Sequence, residues 1–347
     1  VNVYKCSVFK LSESVEMAST PPDSGHLRWG YFDDEEETKS WLVRCCPCNR
    51  APVFWTLNWA AALVHLLNTV ATLGLWAASE DKDQVFMLSE SYAPWVDITG
   101  KNESAFVNGC PVSDASRIFR ISDEFCVERR IAFTSELSLW WLIIAFHFLS
   151  FAFQALAMAE WKVSGCGRTC IREKYVTEVE EHGTNVLRML EYAVSATLMQ
   201  ISIALILGIW ERLVIAGVAA LTVVTMLCGL IAEQLKYDRK DMAWTAHVTG
   251  WLSMGAVWLI LGRQFTYTIS TSDEKPPEFV YAIVGVIGIL YTGFGAIQLV
   301  QLCKSTTEPD AKLNRIVEMA YCIASLTSKT FLGWIIFGSA LSGMAES

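Results

Sequence analysis

The chain has 347 residues, 53% of them hydrophobic and 18% charged, with a net charge of −9 and a mean hydropathy of +0.34. That balance is too apolar for an ordinary soluble domain, and its acidity excludes the broad basic surface with which proteins hold nucleic acid.

Residues 1–40 carry eight acids against four bases, with a block of five acids at Asp33, Asp34, Glu35, Glu36 and Glu37. So charged a stretch cannot bury enough apolar surface to fold, and residues 1–50 are expected to form a disordered acidic tail. Met17, followed by Ala-Ser-Thr-Pro-Pro, is an alternative start. The tail ends in RCCPCNR, with Cys45, Cys46 and Cys48. Juxtamembrane cysteines are frequent acylation sites, whereas a zinc site lacks histidines at finger spacing here.

Seven apolar runs follow, at roughly 53–78, 136–160, 186–209, 213–236, 243–267, 279–303 and 315–342. About 20 helical residues cross a hydrocarbon core, so the expected fold is an all-α membrane protein, a seven-transmembrane-helix bundle over 51–345. The connections after spans two, four and six hold ten Lys and Arg, and the other short connections and the C-terminal tail hold two. The positive-inside rule then puts the N-terminus in the cytoplasm and the C-terminus outside. Arg129 and Arg130 oppose this assignment, but they sit in a long loop, where the rule weakens. That loop, 79–135, is expected outside. It holds the sequon at Asn102 and two cysteines, Cys110 and Cys126, that an oxidising compartment would allow to pair.

Lys329 lies in ASLTSKTFLGW, in the middle of span seven. It is about 20 Å from either surface by helical rise, too far for its stem to reach water. An intramembrane charge faces the protein interior and has a partner or a function. Two readings are open: a clamp paired with a carboxylate, or an amine that condenses with an aldehyde. Glu191, in RMLEYAVSATLMQ of span three, is the candidate partner, because both helices begin on the same side and helical Cβ atoms lean towards the N-terminus. Ser325 lies one turn before Lys329 on the same face. His65 in LVHLL and His147 in IIAFHFLSF are near mid-membrane, either as proton acceptors or as neutral core histidines. Glu233 reads as a solvated interfacial acid, and Glu136, Glu160, Glu211 and Glu318 as wet span-end acids. A ladder of buried acids, as a pump would want, is therefore not expected. Met199, Trp251, Met254, Trp258, Tyr291 and Phe294 crowd the central depth of spans three, five and six. Helix packing explains most of them, and a polyene pocket would need some. No nucleophile-and-base constellation or phosphate loop points to an enzyme.

Seven spans, a mid-helix lysine in the last and a carboxylate in the third resemble microbial rhodopsins. SLTSK, LEYAVSA and the reversed direction resemble one branch of these, the heliorhodopsins. The resemblance covers about 50–345. It implies all-trans retinal on Lys329 as a protonated Schiff base, with Glu191 as sole carboxylate counterion. It also implies that Ser325, Ser195, Met199, Trp251, Trp258, Tyr291 and Phe294 surround the chromophore. His65 and His147 match the family's buried pair. Also implied are a slow photocycle, homodimers and signalling to an unknown cytoplasmic partner rather than pumping. A light-gated proton or ion conductor is the alternative. A receptor or transporter for a soluble ligand would need Lys329 to be only an ion-pair partner.

Overall fold

The computed structural model describes residues 52–79, 86–92, 95–97, 106–107, 110–111, 118–120, 125–128, 130–158, 178–271, 276–305 and 309–345. The expectations for the acidic tail, its cysteines and Asn102 fall outside these residues.

Helix α1, Pro52–Ala78, starts with proline in the first turn, where its missing N–H costs nothing. Helix α2 is Leu139–Met158. A π-helical turn, Glu178–His182, precedes α3, Val186–Ile206, whose N-cap Asn185 accepts a hydrogen bond from the Arg188 backbone N–H. Next come α4, Arg212–Leu235, and α5, Lys240–Thr271. Helix α6, Glu278–Lys304, contains a π-helical stretch at Ile283–Ile287, and α7 is Ala311–Ala345.

Six of these helices, α1–α4, α6 and α7, are long and apolar enough to cross a membrane. The expected fifth span falls on α5, whose 32 residues give ample length at about 1.5 Å per residue. Its composition is more polar, with Asp241, Arg263 and Gln264 along it. Span two was expected from residue 136, yet Glu136 and Leu137 belong to a strand. Backbone pairing with Met87 and Phe86 holds them extended.

Between α1 and α2 the described residues form short strands. β1 (Phe86–Tyr92) pairs antiparallel with β7 (Arg130–Leu137), with a bulge between Leu88 and Ser89. β2 (Trp95–Asp97), β6 (Phe125–Glu128) and β5 (Ile118–Arg120) form a three-stranded sheet, and β3 (Phe106–Val107) pairs with β4 (Cys110–Pro111). Cys110 opens β4 and Cys126 lies in β6, but their side chains are outside what the structure describes. The Ser89 N–H donates to the Trp210 carbonyl at 2.8 Å, so β1 docks on the turn that joins α3 to α4.

That turn is a Schellman motif. The Gly208 N–H bonds the Leu205 carbonyl at 3.0 Å, and the Ile209 N–H bonds the Ala204 carbonyl at 2.9 Å. Gly208 has φ +83°, where a Cβ would press on its own carbonyl. Buried side chains of α2, α3, α4, α5, α6 and α7, among them Phe146, Met199, Ile203, Val218, Leu261, Ile287 and Leu332, form one apolar cluster.

Gly208→Ala is expected to cost about 1–2 kcal/mol, read as a lower thermal midpoint in detergent with the far-ultraviolet spectrum unchanged. An unaltered midpoint would mean that the turn tolerates a side chain.

Candidate functional site

The mid-helix position of Lys329 and the second turn of α3 meet in the bundle interior. Lys329 and Glu191 are 2% and 3% exposed, and their side chains form an ion pair. Both charges are almost wholly removed from bulk solvent, so each depends on the other and on polar groups nearby. Ser150 of α2 supplies one such hydroxyl. Its Oγ accepts from Lys329 Nζ at 2.6 Å and lies 2.6 Å from Glu191 Oε1, to which it can donate. Ser195 donates to the same carboxylate oxygen at 3.2 Å, from one turn further along α3. The ammonium also stands 5.1 Å from the centroid of the Tyr192 ring, within cation–π range.

Lys329 also borders a cavity that opens between α3, α4, α5, α6 and α7. Its wall includes Tyr192, Met199, Trp251, Tyr291, Phe294 and Ser325. Tyr291 donates to the Ala196 carbonyl at 3.3 Å, which fixes one side of the wall. Gly295 is needed for another, because a Cβ there would overlap the Trp251 indole. The indole N–H donates to His247 Nε2 at 2.9 Å, and His247 Nδ1 lies 2.9 Å from Gln298 Oε1.

Met199, Trp251, Tyr291, Phe294 and Ser325 thus share the cavity, as the sequence implied. Ser325 is 1% exposed, and its hydroxyl has no hydrogen-bond partner among the described residues. Ser195 serves the carboxylate instead of lining the cavity. Trp258 packs edge-on against Tyr291 of the cavity wall, at 6.2 Å between ring centroids. His65 and His147 come together, Nδ1 to Nδ1 at 3.2 Å, fully buried between α1 and α2. Nearby, Asn68 donates to Thr330 at 3.1 Å and accepts from the Trp334 indole at 3.1 Å, tying α1 to the part of α7 that follows the lysine.

Two acids expected to be wet are not. Glu233 and Glu318 are 1% and 6% exposed, and both are ion-paired with Arg188, itself 7% exposed. Asn185 Nδ2 also donates to Glu318 at 2.7 Å. Lys236 donates to the His182, Gly183 and Glu233 carbonyls at 2.8, 2.7 and 3.1 Å. The reason for the misreading is geometric. Span-end acids reach water only if their helix ends stand clear, and here the start of α3, the end of α4 and the start of α7 pack together. Arg188, Glu233 and Glu318 lie within a few residues of one end of their spans. The depth matching that paired Lys329 with Glu191 would have paired these three as well. Ser150 gave no such signal, since a serine in an apolar helix usually bonds its own backbone.

A buried charge left alone is costly, so Arg188→Met is expected to lower stability by about 3–5 kcal/mol. The triple variant Arg188→Met, Glu233→Gln, Glu318→Gln should regain most of that loss in the same denaturation assay. A single variant as stable as the parent would show that the cluster carries no net interaction.

The fit to a polyene aldehyde can be judged on this geometry. The cavity is walled mainly by aromatic and sulfur side chains and has the primary amine of Lys329 in its wall, the lining that a polyene aldehyde would need. Comparison with solved structures gives the fold. The transmembrane domain of Salpingoeca rosetta rhodopsin phosphodiesterase matches with TM-score 0.52 and 10% identity, over 83% of this chain and 84% of that one. Thermophilic rhodopsin from Rubrobacter xylanophilus matches at 0.51 and 12%, over 82% and 95%. Cyanorhodopsin from Calothrix sp. NIES-2098 matches at 0.51 and 8%, over 82% and 93%. No curated protein matches. The heliorhodopsin family profile matches residues 125–341, which include both Glu191 and Lys329. With the match extending over more than half its length, the chain belongs to the heliorhodopsin family, an integral multi-pass membrane protein of the microbial-rhodopsin fold.

Proposed function

We propose that this protein is a light-sensing photoreceptor that carries all-trans retinal on Lys329, with Glu191 as its sole carboxylate counterion. The observation that carries this reading is the buried Lys329–Glu191 pair, whose lysine borders an apolar cavity. Family and fold support a retinal photoreceptor, and membership of the family implies the chromophore. Bound there, retinal supplies an aldehyde that condenses with the lysine amine, releasing water, and a polyene that light isomerises. Met199, Trp251, Tyr291 and Phe294 would enclose it.

The chain's own groups then set the charge balance. Ser150 and Ser195 donate to the Glu191 carboxylate, and Lys329 pairs with it. When one ring of the histidine pair donates through Nδ1–H to Nδ1 of the other, the donating ring keeps a lone pair on Nε2, and neither Nε2 has a hydrogen-bond partner among the described residues. It can therefore take one proton without reaching solvent. Buried Phe146, Ile143, Leu332, Ile336 and Phe337 of α2 and α7 lie on the side of this pair away from Arg188. Such an apolar layer favours a sensor with a slow photocycle over a conductor.

The reading includes α5 as a seventh span, the N-terminus in the cytoplasm, a homodimer, a cytoplasmic signalling partner, and a Cys110–Cys126 disulfide in the outer loop. Heliorhodopsins are generally non-enzymatic, and the phosphodiesterase in one neighbour's title describes that protein.

Expression with all-trans retinal should give a visible band that hydroxylamine bleaches and Lys329→Ala abolishes; a colourless parent would end the retinal reading. Glu191→Gln should move the band, either to the ultraviolet at neutral pH or to the red, and an unchanged spectrum would place the counterion elsewhere. Voltage clamp should show no sustained photocurrent. Reproducible light-driven current with a reversal potential would replace the sensor by a conductor.

A further inference from the structure

A second, smaller cavity adjoins the counterion on the side away from the apolar layer. Asn58, Ala157, Asn185 and Glu318 all line it, so it lies towards the face at which α1, α3 and α7 begin and α2 ends. Glu191 borders it from within and Arg188 and Glu318 from the outer end. Its lining is more polar than that of the first cavity, with three amides and the charged groups of Arg188, Glu191 and Glu318 among its residues. Gln154, 8% exposed, is among these, and its Oε1 is buried without a partner among the described residues. The free space there has room for about two waters, each needing two to four polar partners.

The two sides of Glu191 therefore differ in kind. Towards the opposite face, beyond the histidine pair, stand Phe146, Ile143, Leu332 and Phe337 in one apolar cluster. Towards the N-terminal face, amides and ionisable groups continue from Glu191 to Glu318. The titratable and charged groups facing this route are Arg188, Glu191 and Tyr192 from α3, Glu233 of α4 with Lys236 just after it, and Glu318, Tyr321, Cys322 and Lys329 from α7. Helices α1 and α2 add only the neutral Asn58 and Gln154.

We propose that this cavity is the proton-exchange route of Glu191 and that Glu318 is its entry group. A proton from solvent at the N-terminal face is taken by the Glu318 carboxylate and passes through water in the cavity to the Glu191 carboxylate. Glu318 is left ionised against Arg188, so charge and atoms balance with solvent as the only source. Arg188 acts as the positioning residue. Its guanidinium holds Glu318 on one side and Glu233 on the other, and its distal end lies 4.1 Å from the centroid of the Tyr321 ring. Two carboxylates around one guanidinium leave one of them able to accept a proton while the other keeps the cation paired. Glu318 is the one that also borders the cavity.

The inference rests on the reading of Glu191 as counterion, and the experiment separates the two. Pigment reconstituted in one orientation in liposomes is subjected in the dark to rapid acidification on one side. The readout is the colour change that accompanies protonation of Glu191. Acidification at the N-terminal face should act fast, and acidification at the opposite face slowly. Glu318→Gln should slow the fast change by about 100-fold, the low end of what a positioned proton-transfer group contributes, and Glu318→Asp should restore much of the rate. Thermal midpoints of the same variants report on packing, which has no reason to alter sidedness. Equal rates from both faces, or an unchanged rate in Glu318→Gln, would overturn the route while leaving the counterion in place. A pigment whose colour change survives Glu191→Gln would instead overturn the counterion reading.

Discussion

A full positive charge in the middle of a bilayer is tolerable only where the protein replaces what water would have supplied, and that requirement organises the bundle. Lys329 draws Glu191 from α3 and Ser150 from α2 to a single point, and Ser195 completes the carboxylate's hydrogen bonds. Three helices are thereby fixed in register at one depth. Because lipid gives helices little hydrophobic reason to associate, such polar contacts and close packing decide which faces turn inwards. The same constraint explains why the lysine's surroundings split into one apolar cavity and one polar cavity. The amine faces aromatic and sulfur side chains, and the carboxylate faces amides and ions.

The second buried cluster obeys the same rule nearer the surface. Arg188 holds carboxylates from α4 and α7, while Lys236 caps the carbonyls of the segment that leads into α3. Gln301 of α6 and Asn314 of α7 bond the same segment, through the Gly183 and Glu180 carbonyls, at 3.1 Å each. The π-helical turn and the residues that join it to α3 are thus held by side chains from the end of α4, from α6 and from α7. Movement of any of these helices would be felt there. This gives the bundle a mechanical link between the counterion, three residues further along α3 from Arg188, and one of its faces.

Particular residues show where sequence reasoning reached and where it stopped. Lys329 was legible because a charge in an apolar run has few explanations, and Glu191 because its depth could be counted from the helix start. Ser150 was not legible, since serine in an apolar helix carries no directional signal. Glu233 and Glu318 were misread because exposure at a helix end depends on how neighbouring ends pack. Trp258 was legible by depth, but its edge-on packing against Tyr291 was not.

What the sequence determined by itself is therefore everything that depends on distance along a helix: which segments are membrane-length, how deep each charge lies, and that Lys329 cannot reach water. Depth follows from a fixed rise per residue and needs no knowledge of neighbours. Only the tertiary structure decided azimuth and partnership. It joined Ser150 to the ion pair, packed Trp258 against Tyr291, buried Glu233 and Glu318 against Arg188, and opened unlike cavities on the two sides of Glu191. These depend on how helices rotate against one another, which is set by the sum of many long-range contacts and is written at no single position of the chain.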